Sequence, residues 1–516
     1  MKKTLLLSLI GLTPALRATQ PNILIILADD MSYRDLSCYG QTKYQTPNID
    51  SLAAQSVRFT QSYAVAPESA PSRCGLLTGK HTGHSSVRLN SSARGQEHLL
   101  DSDLTIAEAL KQQGYATAMV GKWGVGLQES EGVPYKQGFD YSFGFYDQTE
   151  AHSYIPDYMF ENERRIDYPQ NKGFDMLRRY NYKGHRGQNS YDAEGFLYIP
   201  ELKDPKGYAY SDNEIEQAAM RFLDRHLNGS SEQPFLLYYA TQLPHGPMIV
   251  DQLGEMAQPD SINQLSREWG AMVMRLDRTV GKLIAKLKAG GAYDNTLIIF
   301  ASDNGYSMCG YTERGNGPDW ADDPYLKNKG SFRGGKFTPL EGGLRVPLFI
   351  SYPQRFDAKV LSTPVWLADL FPTLVEMAKA PAVEDLDGQS LVTLMTQGYD
   401  AALSNRPLYF SRGAEQSVRM GAYSIYKPNK DAPSQLYLVE EDAYQEHDLS
   451  AYFPQIVRQA EAIMSASLTP HPWFWTPAES RAEYQQKVER AKSTNNLLPI
   501  NRPNGIDLFP WERKRH

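Results

Sequence analysis

The chain has 516 residues, 41% of them hydrophobic and 22% charged, and this composition is that of a globular protein. The length exceeds one ordinary core, so we expect two domains, or one large α/β domain with an appendage. A net charge of -7 and the lack of a nucleic-acid motif argue against a nucleic-acid partner, although a basic pocket inside an acidic shell stays compatible.

The N-terminus has the layout of a secretory signal peptide. Lys2 and Lys3 precede an apolar run at residues 5–12, and Pro-Ala-Leu-Arg-Ala at residues 14–18 supplies an imperfect cleavage site near Ala18. The run is too short to span a membrane, so no membrane span is expected. A buried first strand or helix is the alternative, but a better buried strand follows at once. We therefore assign residues 1–18 to a signal peptide and expect a periplasmic or secreted protein.

Short apolar runs predict the strands of a buried, largely parallel sheet. They lie at residues 22–28, 117–120, 235–240, 297–302 and 346–351. Helical patterns separate them: a capping box at residues 105–108, an apolar face over 215–223, and a longer face over 269–287. This alternation predicts a layered α/β sheet.

Two stretches interrupt the alternation, and a different pattern follows them. Residues 128–210 and 305–335 lack clear periodicity, which is typical of long functional loops. After residue 405 the chain shows strand-like runs at 418–426 and 435–439 and a helix at 454–467. We predict a catalytic domain over residues 19–405 and a smaller C-terminal α+β subdomain with a tail over 406–516.

Acidic side chains follow two of the predicted strands. Asp29 and Asp30 end the first, and Asp303 and Asn304 end the one at 297–302. Sites in open α/β sheets form beyond the carboxyl ends of strands. Such a set supplies only hard oxygen ligands, which favours Ca²⁺ or Mg²⁺ over zinc. Each pair alone is equally compatible with a helix cap or a strand end.

The three cysteines form neither a C-x-x-C motif nor an even set for disulfides.

Ser69 opens the segment Ser-Ala-Pro-Ser-Arg, which is followed by Cys-Gly-Leu-Leu-Thr-Gly. A serine that begins a helix lies in the positive field of the helix N-terminus, where anions bind well. Taken alone, the fragment is equally well explained by a plain capping serine.

The chain resembles the formylglycine-dependent sulfatases of the alkaline-phosphatase superfamily. Residues 69–79 match their signature, and three further blocks match in order: 21–30 with 46–50, 121–123, and 302–305 followed by Lys336 and 341–347. The resemblance covers about residues 20–465. It implies an alkaline-phosphatase-like layered sheet with helices on both faces, and hydrolysis of sulfate monoesters.

The resemblance also implies roles for individual residues. Ser69 would be oxidised by a sulfatase-maturating enzyme to formylglycine, whose hydrate is the nucleophile. A serine at this position implies the bacterial, oxygen-independent maturation route. The ligands of one Ca²⁺ match Asp29, Asp30, Ser69, Asp303 and Asn304. Arg73 matches the residue that braces the formylglycine, and Lys122 and Lys336 match the lysines that hold the sulfate. His245 matches the histidine beside the leaving oxygen. Fixed cations and a divalent ion would meet the negative charge of a sulfate ester.

One departure from the family pattern concerns a histidine. The family often has Gly-Lys-Trp-His, whereas here Gly124 follows Trp123. The missing histidine usually assists the formylglycine diol. Our hypothesis is that His152, in the downstream segment 147–154, takes over this function. The rival interpretation is that His152 recognises the substrate.

The resemblance to serine-type bacterial enzymes favours a sulfated carbohydrate as the substrate. Candidates for the substrate pocket are Arg94, His98, His185, Arg314 and Asp319. Two rival functions stay open: a phosphomonoester or phosphonate hydrolase of the same superfamily, and a glycan-binding pseudo-sulfatase whose Ser69 escapes maturation. The oxygen-only ligand set argues against the first, and the complete set of site residues against the second.

Overall fold

The computed structural model describes residues 20–174, 189–228, 233–258, 264–306 and 332–498. The predicted signal peptide and most of the loop at 305–335 lie outside these ranges. The fold is of the predicted α/β class, with a large central mixed sheet and a smaller antiparallel C-terminal sheet. None of the described helices combines the length and the apolar composition that a membrane crossing requires.

The strands form one large sheet and three small ones. They are β1 (Asn22–Ala28), β2 (Val57–Phe59), β3 (Ser62–Tyr63), β4 (Ala116–Lys122), β5 (Tyr141–Phe145), β6 (Tyr158–Glu161), β7 (Arg164–Asp167), β8 (Ser190–Tyr191), β9 (Leu197–Tyr198), β10 (Phe235–Ala240), β11 (Thr296–Ser302), β12 (Leu348–Ser351), β13 (Lys359–Leu361), β14 (Val365–Trp366), β15 (Leu408–Arg412), β16 (Glu415–Met420), β17 (Tyr423–Lys427) and β18 (Gln435–Leu438). The large sheet has the order β13-β2-β12-β11-β1-β10-β4-β5-β6-β7.

The helices of the described ranges lie mainly between these strands. They are α1 (Pro47–Ala54), α2 (Ser69–Thr78), α3 (Ile106–Lys111), α4 (Ser211–Leu227), α5 (Gln264–Ala289), α6 (Glu341–Leu344), α7 (Leu370–Met377), α8 (Val392–Gln397), α9 (Ala401–Ser404), α10 (Pro454–Ala466) and α11 (Arg481–Ser493). The capping box predicted at Thr105 begins α3, with Glu108 as its second member.

The central strands β11, β1, β10, β4 and β5 run parallel, as the continuous apolar runs predict. Strand β1 contributes Leu24, Ile26 and Ala28 to one hydrophobic core and its intervening residues to the other. Helices α1, α4 and α5 cover the first face, and α2, α3 and α7 cover the second. The sheet is therefore the predicted layer with helices on both faces.

Two sequence predictions about elements were wrong. The stretch at 128–210 contains β5, β6 and β7, which extend the large sheet, rather than loop alone. These strands are short, and β6 and β7 form an antiparallel hairpin at the sheet edge. The run at 418–426 is two strands, because the chain reverses at Gly421, where φ is 56°. Strand β12 is antiparallel to β11, so the sheet is mixed.

The C-terminal sheet has the order β15-β16-β17-β18 and is antiparallel throughout. Helix α10 packs on one face of it, and Val418, Ile425 and Leu436 meet Ala460 and Met464 in a small core. Strand β15 is also tied to the rest of the chain: the Ser411 N–H donates to Thr82 Oγ1 over 3.1 Å. This anchors the end of β15 close to helix α2.

Candidate active site

Ser69 is the first residue of α2, and every residue of this helix is buried. Its Oγ lies 3.3 Å from Asp29 Oδ1 and 3.2 Å from Asn304 Oδ1, within hydrogen-bonding distance of both. The hydroxyl therefore sits both at a helix N-terminus and among the side chains that follow β1 and β11.

The residues after β1 and β11 meet because these strands are parallel neighbours, with Ala28 opposite Ser302. The Asn304 Nδ2 donates to Asp30 Oδ1 over 2.7 Å, and the Asp30 N–H donates to Asp303 Oδ1 over 3.2 Å. Asp30 has a φ of 60°, a left-handed conformation that costs a non-glycine residue energy. The left-handed turn at Asp30 allows the consecutive side chains of Asp29 and Asp30 both to face the cluster.

Two buried cations lie on the Asp29 side of the cluster. Lys122, the last residue of β4, places its Nζ 2.6 Å from Asp29 Oδ2. Arg73, one turn along α2 from Ser69, binds Asp303 Oδ2 through Nη2 at 2.8 Å and Nε at 2.9 Å. Its Nη1 donates to the Lys122 carbonyl over 2.6 Å. Arg73 thus braces the carboxylates and the end of β4 together.

A third cation and a histidine lie on the Asp30 side. Lys336 Nζ is 2.7 Å from Asp30 Oδ1 and 3.1 Å from His245 Nε2. His245 Nδ1 contacts the Gly246 carbonyl. Because a carbonyl only accepts, Nδ1 carries the proton of the neutral ring and Nε2 accepts from Lys336. Tyr154 holds this loop, since its hydroxyl lies 2.7 Å from the His245 carbonyl and 2.9 Å from that of Gln242.

Burial and charge act against each other in this cluster. Burial alone would raise the pKa of Asp29, but the charges of Lys122 and Arg73 outweigh it and the pKa is lowered. Burial raises the pKa of Asp30 to about 6, against the pull of Lys336. Burial, reinforced by Lys336, holds the pKa of His245 well below its usual value, so the ring is neutral.

The oxygen atoms of this cluster fit a hard divalent cation. Asp30 Oδ2 is buried and accepts no hydrogen bond from any described residue, which leaves a costly orphan acceptor. Ligand atoms of Asp29, Asp30 and His245 lie within 4.8 Å of one another. Asp303 and Asn304 add further carbonyl and carboxylate oxygens beside them. Oxygen donors of this kind suit Ca²⁺ or Mg²⁺, so the residues present fit such an ion.

Comparison with known proteins identifies the family. The sequence model of the sulfatase family matches residues 21–380, which is well over half of the chain. The chain belongs to the sulfatase family. It is therefore a sulfuric ester hydrolase, and members of this family generally use a Ca²⁺ ion and a formylglycine.

Several relatives of this sulfatase are named for sulfated amino sugars. The N-acetylgalactosamine-6-O-sulfatase of Bacteroides thetaiotaomicron is 28% identical over 87% of this chain and 93% of its own length. The N-acetylgalactosamine-6-sulfatase of Homo sapiens is 30% identical over 76% of this chain and 68% of its own. The crystal structure of Ps i-CgsB in complex with k-i-k-neocarrahexaose covers 93% of this chain and 99% of that one, with a TM-score of 0.70 and 26% identity.

Gly124 of this sulfatase has a φ of 80°, in the left-handed region that favours glycine. A Cβ at this position would lie 3.3 Å from Arg73 Cδ and 3.8 Å from Lys122 Cε. A histidine side chain at position 124 would therefore begin beside Arg73 and Lys122. His152 lies elsewhere in the site: its ring stacks on that of His245, with centroids 4.3 Å apart and planes at 11°.

The predicted pocket residues of this sulfatase fall into two groups. Arg94 binds Glu97 at 2.6 Å and contacts the C-terminal tail, where it lies over the ring of Trp473. His98 Nδ1 lies 2.8 Å from the Leu99 carbonyl. Within the described ranges, no hydrogen bond or ion pair joins either of them to the cluster around Ser69. The other three candidates, His185, Arg314 and Asp319, lie outside the described residues.

Two residues that support the site are absent from the sequence prediction. The role of Tyr154 in holding the His245 loop depends on a contact across about 90 positions, which no local pattern indicates. Asn90 Oδ1 accepts the Ala70 N–H over 2.9 Å and so caps the first turn of α2 beside Ser69. Asn90 is 20 residues away from Ala70 in the sequence, so no local sequence motif indicates this cap.

Proposed function

We propose that this sulfatase removes sulfate from a sulfated carbohydrate, with Ser69, oxidised to formylglycine, as the nucleophile. The observation that carries the proposal is the balance of charges around Ser69. Three buried carboxylates, those of Asp29, Asp30 and Asp303, face three buried cations. A divalent ion added to this neutral set leaves a net positive pocket, which suits an anionic ester.

The proposed Ca²⁺ would be held by Asp29, Asp30, Asp303 and Asn304, together with the modified Ser69. The ion supplies positive charge next to the sulfate oxygens. Formylglycine supplies a hydrated aldehyde, which has two hydroxyl groups where serine has one. The unsatisfied Asp30 Oδ2 supports the ion, and the general use of both groups in the family supports the ion and the formylglycine.

The chain's own cations would bind the sulfate and stabilise charge in the transition state. Lys122 and Lys336 are buried and fixed by Asp29 and Asp30, so they need no reorganisation when negative charge develops. Arg73 would hold the first turn of α2, which carries the nucleophile, in place against Asp303. The proton for the departing oxygen would come from the Lys336–His245 pair, in which Lys336 Nζ donates to His245 Nε2 over 3.1 Å.

We propose a catalytic role for His152. Its stacking on His245 supports a role on the side of the departing oxygen, in place of the assistance to the formylglycine diol that the sequence suggested. A His152→Ala variant is expected to lose kcat by roughly 100-fold, the usual scale for an assisting acid or base, with little change in KM. A variant that keeps kcat and loses affinity instead assigns His152 to substrate recognition. His84→Ala provides a matched control, because His84 is half-exposed and pairs with Asp387.

The substrate class is inferred from the relatives, several of which are named for N-acetylgalactosamine 6-sulfate. We therefore propose a sulfated amino sugar or a glycan that contains one. The test is desulfation of N-acetylgalactosamine 6-sulfate, its 4-sulfate isomer and an aryl phosphate by protein co-expressed with a bacterial maturating enzyme. We expect sulfate release from the sugar, none from Ser69→Ala, and a peptide mass at residue 69 that lacks two hydrogens. Preference for the phosphate ester would overturn the proposal.

We also propose that the chain is exported, to the periplasm or beyond, after removal of residues 1–18. The support is the charged and apolar layout of this segment. N-terminal sequencing of the mature protein from a periplasmic fraction should begin close to residue 19. Recovery of the intact N-terminus from the cytoplasm would contradict export.

A further inference from the structure

Arg412 brings a cation from the C-terminal sheet to the edge of the active site. It is the last residue of β15, and its side chain is 33% exposed. Its guanidinium lies 4.8 Å from the centroid of the Phe337 ring, and Lys336 Nζ lies 5.5 Å from the same centroid. The two cations are thus no more than about 10 Å apart.

The guanidinium of Arg412 is not satisfied by the protein. Its Nε is buried and donates no hydrogen bond to any described residue. The nearest carboxylate is that of Glu68, whose Oε1 is 3.8 Å from Nε, too far for a hydrogen bond. Glu68 Oε1 is likewise buried without a hydrogen-bond partner among these residues. The exposed third of the Arg412 side chain is the part that a ligand can reach.

Arg412 is coupled to the catalytic residues through both of its neighbours. Glu68 directly precedes Ser69 in the chain. Phe337 directly follows Lys336, has a φ of 74°, and donates its N–H to the Pro67 carbonyl over 2.7 Å. Strained backbone of this kind is typical of residues held in place for function. A group bound at Arg412 would therefore lie beside Glu68 and within reach of a substrate held at Lys336, since the two cations are no more than about 10 Å apart.

We propose that Arg412 binds a second anionic group of the substrate, a carboxylate or a further sulfate ester, next to the sulfate that is removed. This inference rests on the proposed function, and it narrows the substrate to glycans with more than one acidic group close together. A planar guanidinium with free N–H groups matches both kinds of oxyanion. Glu68 keeps the guanidinium oriented without using its hydrogen bonds.

The test compares Arg412→Gln with the wild-type holoenzyme on three probes. These are N-acetylgalactosamine 6-sulfate, N-acetylgalactosamine 4,6-disulfate, and the chondroitin 6-sulfate disaccharide with its uronic acid. We expect KM to rise about tenfold or more for at least one doubly anionic probe, which is the scale of a charge-assisted hydrogen bond. The KM of the monosulfate and all kcat values should change less than about twofold. The two doubly anionic probes tell a sulfate from a carboxylate.

A second readout keeps this inference separate from the proposed function. Protein expressed without a maturating enzyme retains Ser69, and calorimetric binding of the same three probes needs no turnover. We expect wild type to bind a doubly anionic probe more tightly than the monosulfate, and Arg412→Gln to lose this preference. Arg355→Gln, an exposed arginine beside Phe356, controls for the change of net charge.

The kinetic and binding measurements distinguish three outcomes. If the wild-type enzyme releases sulfate from none of the probes, the proposed function is refuted. The binding preference measured by calorimetry still decides the role of Arg412. An equal change in KM on all three probes assigns Arg412 to the support of Glu68 and overturns the inference. A wild-type protein without preference for a second anion overturns it as well.

Discussion

Glu268 offers a test of how burial and hydrogen bonds together set the pKa of a carboxyl group in this fold. It lies in α5, fully buried, and its Oε1 accepts from Asn189 Nδ2 at 2.8 Å, Gln264 Nε2 at 3.0 Å and Tyr191 at 3.2 Å. Its Oε2 is buried with no hydrogen-bond donor among the described residues. Burial, only partly offset by these hydrogen bonds, raises the pKa of Glu268 from 4.5 to about 7.

A raised carboxyl pKa means that the folded protein binds this proton more tightly than the unfolded chain does. The stabilisation is therefore fully present below pH 4.5 and is lost as the pH rises through about 7. The pKa difference of about 2.5 corresponds to roughly 3 kcal/mol. Glu268→Gln is neutral at every pH, so we expect equal stability with wild type near pH 4.5 and a gain approaching 3 kcal/mol at pH 8.

The assay is urea unfolding of both proteins at half-unit steps from pH 4.5 to pH 8. Only the difference between them is used, because all other titrating groups are common to both. Glu441→Gln, at an exposed position, provides the control for removal of one negative charge. A difference between Glu268→Gln and wild type that stays constant over this range would refute the assignment of a raised pKa to Glu268.

Three further predictions concern the backbone, a buried ion pair and the metal. Gly124→Ala should lower both stability and kcat, whereas Gly114→Ala, at a φ of 85° with open space around it, should lose only about 1 kcal/mol from backbone strain; equal losses and unchanged kcat would contradict crowding at the site. Arg406→Met should cost about 3 kcal/mol in urea unfolding, because the buried carboxylate of Asp369 loses its charged partner and keeps only the neutral donors of Trp366 and Gln389. The exposed Arg164→Met should cost under about 1 kcal/mol; similar costs for the two variants would contradict an effect of burial on the ion pair. Chelation with EDTA should abolish sulfate release and lower Tm, and added Ca²⁺ should restore both; full activity after exhaustive chelation would exclude a required divalent ion.

Much of the central sheet could be predicted because burial on both faces leaves a clear signal. The runs that became β1, β10 and β11 are apolar at nearly every position, and Asp29 and Asp303 directly follow β1 and β11. Parallel neighbours bring such strand ends together, so the oxygen cluster follows from the sequence and a general rule about sheets. The structure brings these residues into contact as that rule requires.

The elements that the sequence did not reveal depend on contacts between distant parts of the chain. Strands β6 and β7 are short and partly exposed. The turn between them is held by a hydrogen bond from the Ser142 N–H to Asn162 Oδ1, and these two residues are 20 positions apart. Gly421 reverses the chain inside an apparently continuous strand pattern. Arg412 lies beyond every matching motif, and only the packing of β15 near α2 brings it next to Glu68.

The place of β1 between β10 and β11 has a consequence for the order of events during synthesis. Its two partners are completed only at Ala240 and Ser302. At ordinary rates of translation, roughly 15 to 55 s separate the emergence of β1 from that of β11. Until β10 emerges, this apolar strand has both hydrogen-bonding edges unpaired, and from then until β11 emerges one edge stays unpaired. The nascent chain is therefore most prone to aggregation, and most dependent on chaperones, before its second half has been made.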